Sequence, residues 1–265
     1  MTDGMITYSL GEGIVAFTTD RTVGRDPEKV TDAVCRRLNA AANGAGECRR
    51  ENLRFARPHQ THGDSIMPVA EEYFALSEAT QRMLMEGKDA VVTDMAEVIL
   101  GVSTADCIPV LVFDPEHHAA AAIHAGWRGT VQRIVWKTME QMKKMYHTDP
   151  ARCRAAIGPG ISFDSFEVGD EVYAAFASSG FDMNGVARRY PVMQPANEAD
   201  VQAEKWHIDL KEINRRQLIM AGVQAENIEV SGIDTLTDTR FYSARREQKG
   251  DVKCGRIFTG FVIRP

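Results

Sequence analysis

The architecture is decided by one stretch, Thr104-Ala-Asp-Cys-Ile-Pro-Val-Leu-Val-Phe-Asp-Pro-Glu-His-His-Ala-Ala-Ala-Ala-Ile-His-Ala-Gly-Trp-Arg-Gly-Thr130. Residues 108–113 are an unbroken apolar run, Asp114-Pro115 is a turn signal, and residues 119–123 form a second run of small and β-branched side chains. Two such runs with a short polar connection predict an antiparallel hairpin. With Phe113 facing His118, strand alternation puts Cys107 opposite His124, with Cβ atoms about 4.5–5.5 Å apart. At that separation a thiolate and an imidazole can share one metal, at about 2.3 and 2.0 Å. A direct Cys–His contact is equally possible. Pro109 has no N–H to give a ladder, so it belongs at an edge, a bulge or a strand start, where a chemical site can open.

Outward from the hairpin, His124 is followed at once by Ala-Gly-Trp-Arg-Gly-Thr. Gly126 and Gly129 permit close backbone approach, and Arg128 with the start of the next helix favours an anion. The alternative is a tight turn with Trp127 packed on the core. Upstream, Gln60-Thr-His-Gly63 carries another histidine, too far along the chain for local spacing to join it to Cys107. His59, His117, His118, His147 and His207 take the default of structural or solvated residues.

A helix is predicted from Asp26 as cap and Pro27 at the first position, through Val30, Ala33, Val34, Leu38 and Ala41, to a stop at Gly44. A second covers residues 77–86. A third is marked by Val131, Ile134, Val135, Met139, Met142 and Met145 at helical spacing, a methionine stripe read as core filling. Further helices fit residues 170–178 and 209–221. Strands fit residues 89–93, 98–103, 108–113, 119–123, 227–230 and 257–263. Residues 188–205, with Pro191 and Pro195, read as a long surface loop. The elements alternate without a βαβ beat, so mixed α/β layers are expected rather than a doubly wound or barrel fold. No repeat or linker divides the chain, and residues 1–265 are taken as a single domain.

The chain has 265 residues, 44% hydrophobic and 26% charged, with a net charge of −6. An acidic balance repels phosphate backbones and argues against nucleic-acid binding. No apolar run approaches the roughly 20 residues that span a bilayer, and Asp3 lies where a basic-then-apolar leader would begin. The five cysteines, Cys35, Cys48, Cys107, Cys153 and Cys254, form no CxxC pair. Free thiols in a reducing compartment are expected, hence a cytoplasmic protein.

Gln60-Thr-His-Gly63, Thr104-Ala-Asp-Cys107, His124-Ala-Gly-Trp-Arg-Gly129, Ile157-Gly-Pro159, Phe166-Glu-Val-Gly169 and Phe241-Tyr-Ser-Ala-Arg-Arg246 resemble, in order, the blocks of the YfiH-like family. That family is labelled multicopper polyphenol oxidoreductase (laccase domain) or purine nucleoside phosphorylase. The resemblance implies an α/β (α+β) fold, a four-layer α/β/β/α sandwich with mixed sheets. It implies one metal, zinc before copper, held by His62, Cys107 and His124. The activities implied are phosphorolysis of purine nucleosides, including methylthioadenosine, and deamination of adenosine; some members are described instead as peptidoglycan-editing factors. Residues 17–27 are shorter than the family's usual loop and leave Arg21 as the candidate contact there.

Two imidazoles and one thiolate leave zinc one open tetrahedral position, the mark of a catalytic site, where water becomes acidic near neutral pH. Asp106, beside the metal cysteine, is the candidate for proton movement in deamination, with a turn role equally open. Arg128, Arg245, Arg246 and Gln60 are the candidates for phosphate and substrate contact. The same donors with an axial methionine would make a blue-copper site, but seven histidines are too few and too scattered for an oxygen-reducing copper cluster. Two further alternatives are a metal-free hydrolase, with Cys107 as nucleophile and His124 as base, and a non-enzymatic metal- or nucleotide-binding module. The expected partners are a purine nucleoside and phosphate, with neither nucleic acid nor membrane, in a monomer or weak homo-oligomer.

Overall fold

The computed structural model describes residues 4–40, 48–192, 203–248, 250 and 255–265. Its strands are β1 (Met5–Tyr8), β2 (Ile14–Thr19), β3 (Arg54–Ala56), β4 (Ile66–Pro68), β5 (Ala90–Thr93), β6 (Val98–Thr104), β7 (Ile108–Asp114), β8 (Ala119–Ala125), β9 (Arg154–Ile157), β10 (Glu167–Val168), β11 (Ala187–Pro191), β12 (Glu204–Ile208), β13 (Ile228–Val230) and β14 (Ile257–Ile263). Its helices are α1 (Pro27–Ala40), α2 (Glu71–Phe74), α3 (Glu78–Met85), α4 (Trp127–Val131), α5 (Ile134–Tyr146), α6 (Asp170–Ser178), α7 (Leu210–Met220) and α8 (Ala244–Gln248).

The hairpin β7–β8 lies within a six-stranded mixed sheet of order β13-β9-β7-β8-β5-β4. A five-stranded sheet, β1-β2-β14-β6-β3, packs on it, and β10-β12-β11 make a third, small sheet. Alternation assigns the faces. Ile108, Val110 and Val112 with Ala119, Ala121 and Ile123 join a core shared with α5 and α7, while Leu111, Phe113, Ala120 and Ala122 join Leu100 and Phe261 between the sheets. On the far side, Val30 and Val34 of α1 close over Phe17, Ile99 and Phe258. The layers therefore run helix, sheet, sheet, helix, as expected. Both faces of the central strands are covered, which explains their apolar runs; each large side chain buried there contributes about 1.5–3 kcal/mol. The helix starts follow local chemistry, with Asp26, Ser77 and Asp209 accepting backbone N–H groups of the first turns of α1, α3 and α7.

The register departs from the sequence-based expectation. Phe113 pairs with Ala120, and His124 pairs with Pro109. Asp114 is fully buried and accepts bonds from the backbone of Glu116 and His117 and from the His117 ring. It thereby closes the strand pair itself, and His118 enters the turn at φ 49°. The ladder shifts by two residues, and a two-residue shift preserves the face. Cys107 is therefore a diagonal neighbour of His124 rather than its direct partner.

Two other expectations change. The methionine-striped helix is broken, because Arg133 adopts φ 62° between α4 and α5, with its guanidinium over Phe181 and bonded to the Ser179 carbonyl. Met139 and Met142 are buried, but Met145 is exposed. The expected surface loop 188–205 is partly sheet, since β11 pairs with β12 from Ala187↔Ile208 to Pro191↔Glu204. Exposed residues such as Arg188 and Arg189 give those strands no apolar period. Residues 193–202 of that stretch, the Gly44 stop and Cys254 lie outside the described residues.

Candidate metal centre

The centre forms at the rim of the gap between the two large sheets. β8 delivers His124 on its inter-sheet face, and Cys107 stands one residue before β7. His62 arrives from the connection between β3 and β4. Their ligand atoms all lie within 4.8 Å of one another. Donors sharing one tetrahedral ion at about 2.0–2.3 Å would stand roughly 3.3–3.8 Å apart, a separation this arrangement accommodates. The imidazoles meet edge to face, their centroids 4.9 Å apart. His124 is buried, Cys107 half-buried and His62 exposed, so the group opens to solvent through His62.

Backbone strain is concentrated here. His62 has φ 65° and Asp106 φ 80°, conformations that side-chain-bearing residues keep only when their surroundings enforce them. Gly126 supplies the clearance. A Cβ there would lie 3.1 Å from Cys107 Sγ and 3.1 Å from a His62 ring carbon. At Gly129 a Cβ would come within 2.7 Å of the Gly63 carbonyl. The glycines after His124 therefore let that segment close on the three donors and on the His62 loop.

Sequence reasoning missed the residue that organises the centre. Asp89 is fully buried; its carboxylate accepts the His124 Nδ1–H at 2.7 Å and the backbone N–H groups of Thr61, His62 and Gly63. One side chain therefore fixes the loop carrying the first histidine and the tautomer of the other, turning His124 Nε2 toward Cys107 and His62. Burial alone would raise its pKa, but His124 and those N–H groups hold it below the usual carboxylate value. Asp89 sits at the head of an apolar strand, and nothing local distinguishes it from any other strand-entry aspartate.

Burial also opposes ionisation of Cys107, but charge attraction and hydrogen bonding from His124, then His62, bring its thiol well below the ordinary cysteine value. His124 shifts the other way. Burial is overcome by Cys107 and Asp89, which favour the imidazolium. The donor set is thus prepared to present a thiolate.

The donors line a cavity of about 610 Å³ that also includes His59, Trp127, Arg128 and Arg245. Arg128 extends over the Trp127 ring, 4.2 Å from its centroid. Other predicted contacts are already committed. Gln60 spends its amide on the backbone of Ser103, donating to the carbonyl and accepting the N–H, both at 2.8 Å. The Arg245 guanidinium donates to the Glu167 carbonyl, and that of Arg246 spans the carbonyls of Thr235, Leu236 and Phe241. Arg21 donates to Thr239 and stacks on Tyr242, whereas Arg25, from the same shortened loop, reaches the cavity wall. Asp106 accepts from Thr235 Oγ1, Ser243 Oγ and the Arg245 N–H at 2.7, 3.0 and 2.7 Å. It thereby ties the C-terminal block to the segment that carries Cys107. His59 and Arg256 also line the cavity without having been singled out.

Among the described residues no helix is long and apolar enough to cross a membrane. Known proteins give these observations a context. Residues 12–264 match the family model described as multi-copper polyphenol oxidoreductase laccase. A purine nucleoside phosphorylase of Bacteroides thetaiotaomicron is 42% identical over 207 residues, 78% of this chain and 72% of that protein. Adenosine deaminase RL5, from an unknown prokaryote, is 37% identical over 259 residues, 94% of each chain. The YfiH structure from Bacillus licheniformis superposes with TM-score 0.76 at 22% identity, covering 99% of this chain and 97% of the other. YlmD from Geobacillus stearothermophilus does so with TM-score 0.74 at 25%, covering 100% and 98%. With the predicted blocks, the four-layer fold and the His–Cys–His cluster in agreement, the chain belongs to the multi-copper polyphenol oxidoreductase laccase family.

Proposed function

We propose that this protein is a zinc-dependent purine nucleoside enzyme that cleaves nucleosides with phosphate and deaminates adenosine. The observation that carries this reading is the convergence of His62, Cys107 and His124 on the wall of a nucleoside-sized cavity. The names of the two relatives above supply the substrate class. The three residues fit a resident metal, since the donors are a catalytic zinc set and Gly126 keeps their surroundings clear. Zinc held there supplies Lewis-acid polarisation and lowers the pKa of water.

The remaining work falls to the chain's own groups. Trp127 offers an aromatic face within the cavity, and Arg128 and Arg25 place positive charge where an anion such as phosphate would enter. Proton transfer passes from the expected Asp106 to His59, whose Nδ1 is held by both Glu86 oxygens at 2.8 Å. Its other ring nitrogen is therefore the one left for substrate. Asp89 holds His124 in the ligating tautomer throughout.

One observation favours a second reading. Asp89, His124 and Cys107 also form an orienting carboxylate, a base and a nucleophile, and the thiol is shifted toward thiolate. The second imidazole, His62, is superfluous to that chemistry and required by a metal. Metal analysis of the purified protein with nucleoside turnover measured with and without phosphate separates the readings. Stoichiometric zinc and its loss in Cys107→Ala support the first. A metal-free wild type that still turns over substrate overturns it.

A further inference from the structure

We propose that Cys35 and Cys48 form a reversible disulfide, an oxidation site separate from the metal centre. Cys35 lies on α1, on the outer face of the five-stranded sheet, and Cys48 is the described residue at which the chain returns beside that helix. Their juxtaposition is held by a clamp. Cys35 Sγ donates to the Cys48 carbonyl at 3.0 Å. Asn39, one turn further along α1, donates to the same carbonyl at 3.2 Å and accepts the Cys48 N–H at 2.6 Å. The Cys48 thiol stands close enough to Cys35 for that neighbour to add to the cost of ionising it. Both residues are half-buried, and so reachable by a small oxidant.

The surroundings exclude other uses for the pair. No imidazole or carboxylate joins the two sulfurs in a ligand cluster among the described residues. Burial, then the neighbouring Cys35, pushes the Cys48 thiol up to about 12, so Cys48 is no thiolate metal ligand near neutral pH and serves as the slower, resolving partner while Cys35 is oxidised first. Cys153 marks the contrast, a fully buried thiol bonded to the Asp149 carbonyl.

With a peroxide as oxidant, the Cys35 sulfur attacks the O–O bond, forming an S–O bond and releasing water once protons are counted. The Cys48 sulfur then forms the S–S bond as the S–O bond breaks and a second water leaves. Two thiols lose two electrons and two protons, and one peroxide is reduced to two waters. The product ties the end of α1 to the re-entering chain.

The test uses the full-length protein with its metal, first reduced, then challenged with hydrogen peroxide, alkylated and mapped by mass spectrometry. The expected result is a Cys35–Cys48 cross-linked peptide, about 2 Da lighter than the two reduced peptides together, with metal content unchanged. Dithiothreitol restores two alkylatable thiols. Cys48→Ser and Cys35→Ser proteins should show no cross-link and keep their metal. Recovery of both cysteines alkylated after peroxide, or their cross-linking to Cys107, Cys153 or Cys254 instead, overturns the proposal.

Discussion

Cys107 stands at the rim between the two large sheets and Cys48 beside the outer helix α1, and their surroundings drive them in opposite directions. Around Cys107, two imidazoles outweigh burial and favour the thiolate. Around Cys48, burial acts without a cationic partner and a second thiol adds to it, so the proton stays on. Partial withdrawal from water is common to both sites and does not decide their chemistry. The charge beside the sulfur does. At Cys107 that charge is maintained by Asp89, which favours the imidazolium of His124 and holds the His62 loop.

The severest way to break this contrast is Cys107→Ala. It should abolish stoichiometric metal and reduce nucleoside turnover by more than the roughly 100-fold that loss of a residue behind a ligand produces. Elemental analysis and steady-state kinetics check it, and retained metal would deny Cys107 its special status. Asp89→Asn should come next, weakening metal affinity or turnover by about 10–100-fold while the three ligands remain. Chelator competition reads the affinity directly. Gly126→Ala places a methyl against Cys107 and His62. Overpacking costs about 1–3 kcal/mol, so metal affinity should fall by about tenfold or somewhat more with circular dichroism unchanged.

A titration of the metal-free protein sharpens the contrast with the smallest perturbation. A thiol held below its ordinary value ionises earlier as pH rises. Thiolate ultraviolet absorbance should therefore appear in a step near pH 6, where the Cys107 thiol is brought. Cys107→Ser should remove that step, and Cys48→Ser should leave it intact, because Cys48 stays protonated until about 12. A step absent from the wild type would show that the imidazoles do not outweigh burial.

Much of this arrangement was legible because it is written in short-range patterns. The apolar runs of β7 and β8, the caps Asp26 and Ser77, and the Cys107–His124 spacing each depend on neighbours within a few residues or across one turn. The resemblance to known blocks then joined His62 to that pair, which local spacing could not. What was hidden depends on partners that only folding supplies. The bonds that Gln60 makes to Ser103 and Asp106 makes to Thr235 and Ser243 join residues distant in the chain, so no local pattern announced them. The strand β11 was unreadable because a strand with no buried residue has no apolar face to repeat, and β12 buries only its last two residues.

By itself the sequence determined the layered α/β character, the hairpin and the donor types, since periodicity and side-chain chemistry are properties of the chain. Only the tertiary structure decided the two-residue ladder shift, the role of Asp89 and the state of each thiol. The physical reason is the same in all three. A buried carboxylate or sulfur takes its bonding and ionisation from groups brought close in space, and Asp114, Asp89 and Cys48 each acquire those groups only when the chain is folded.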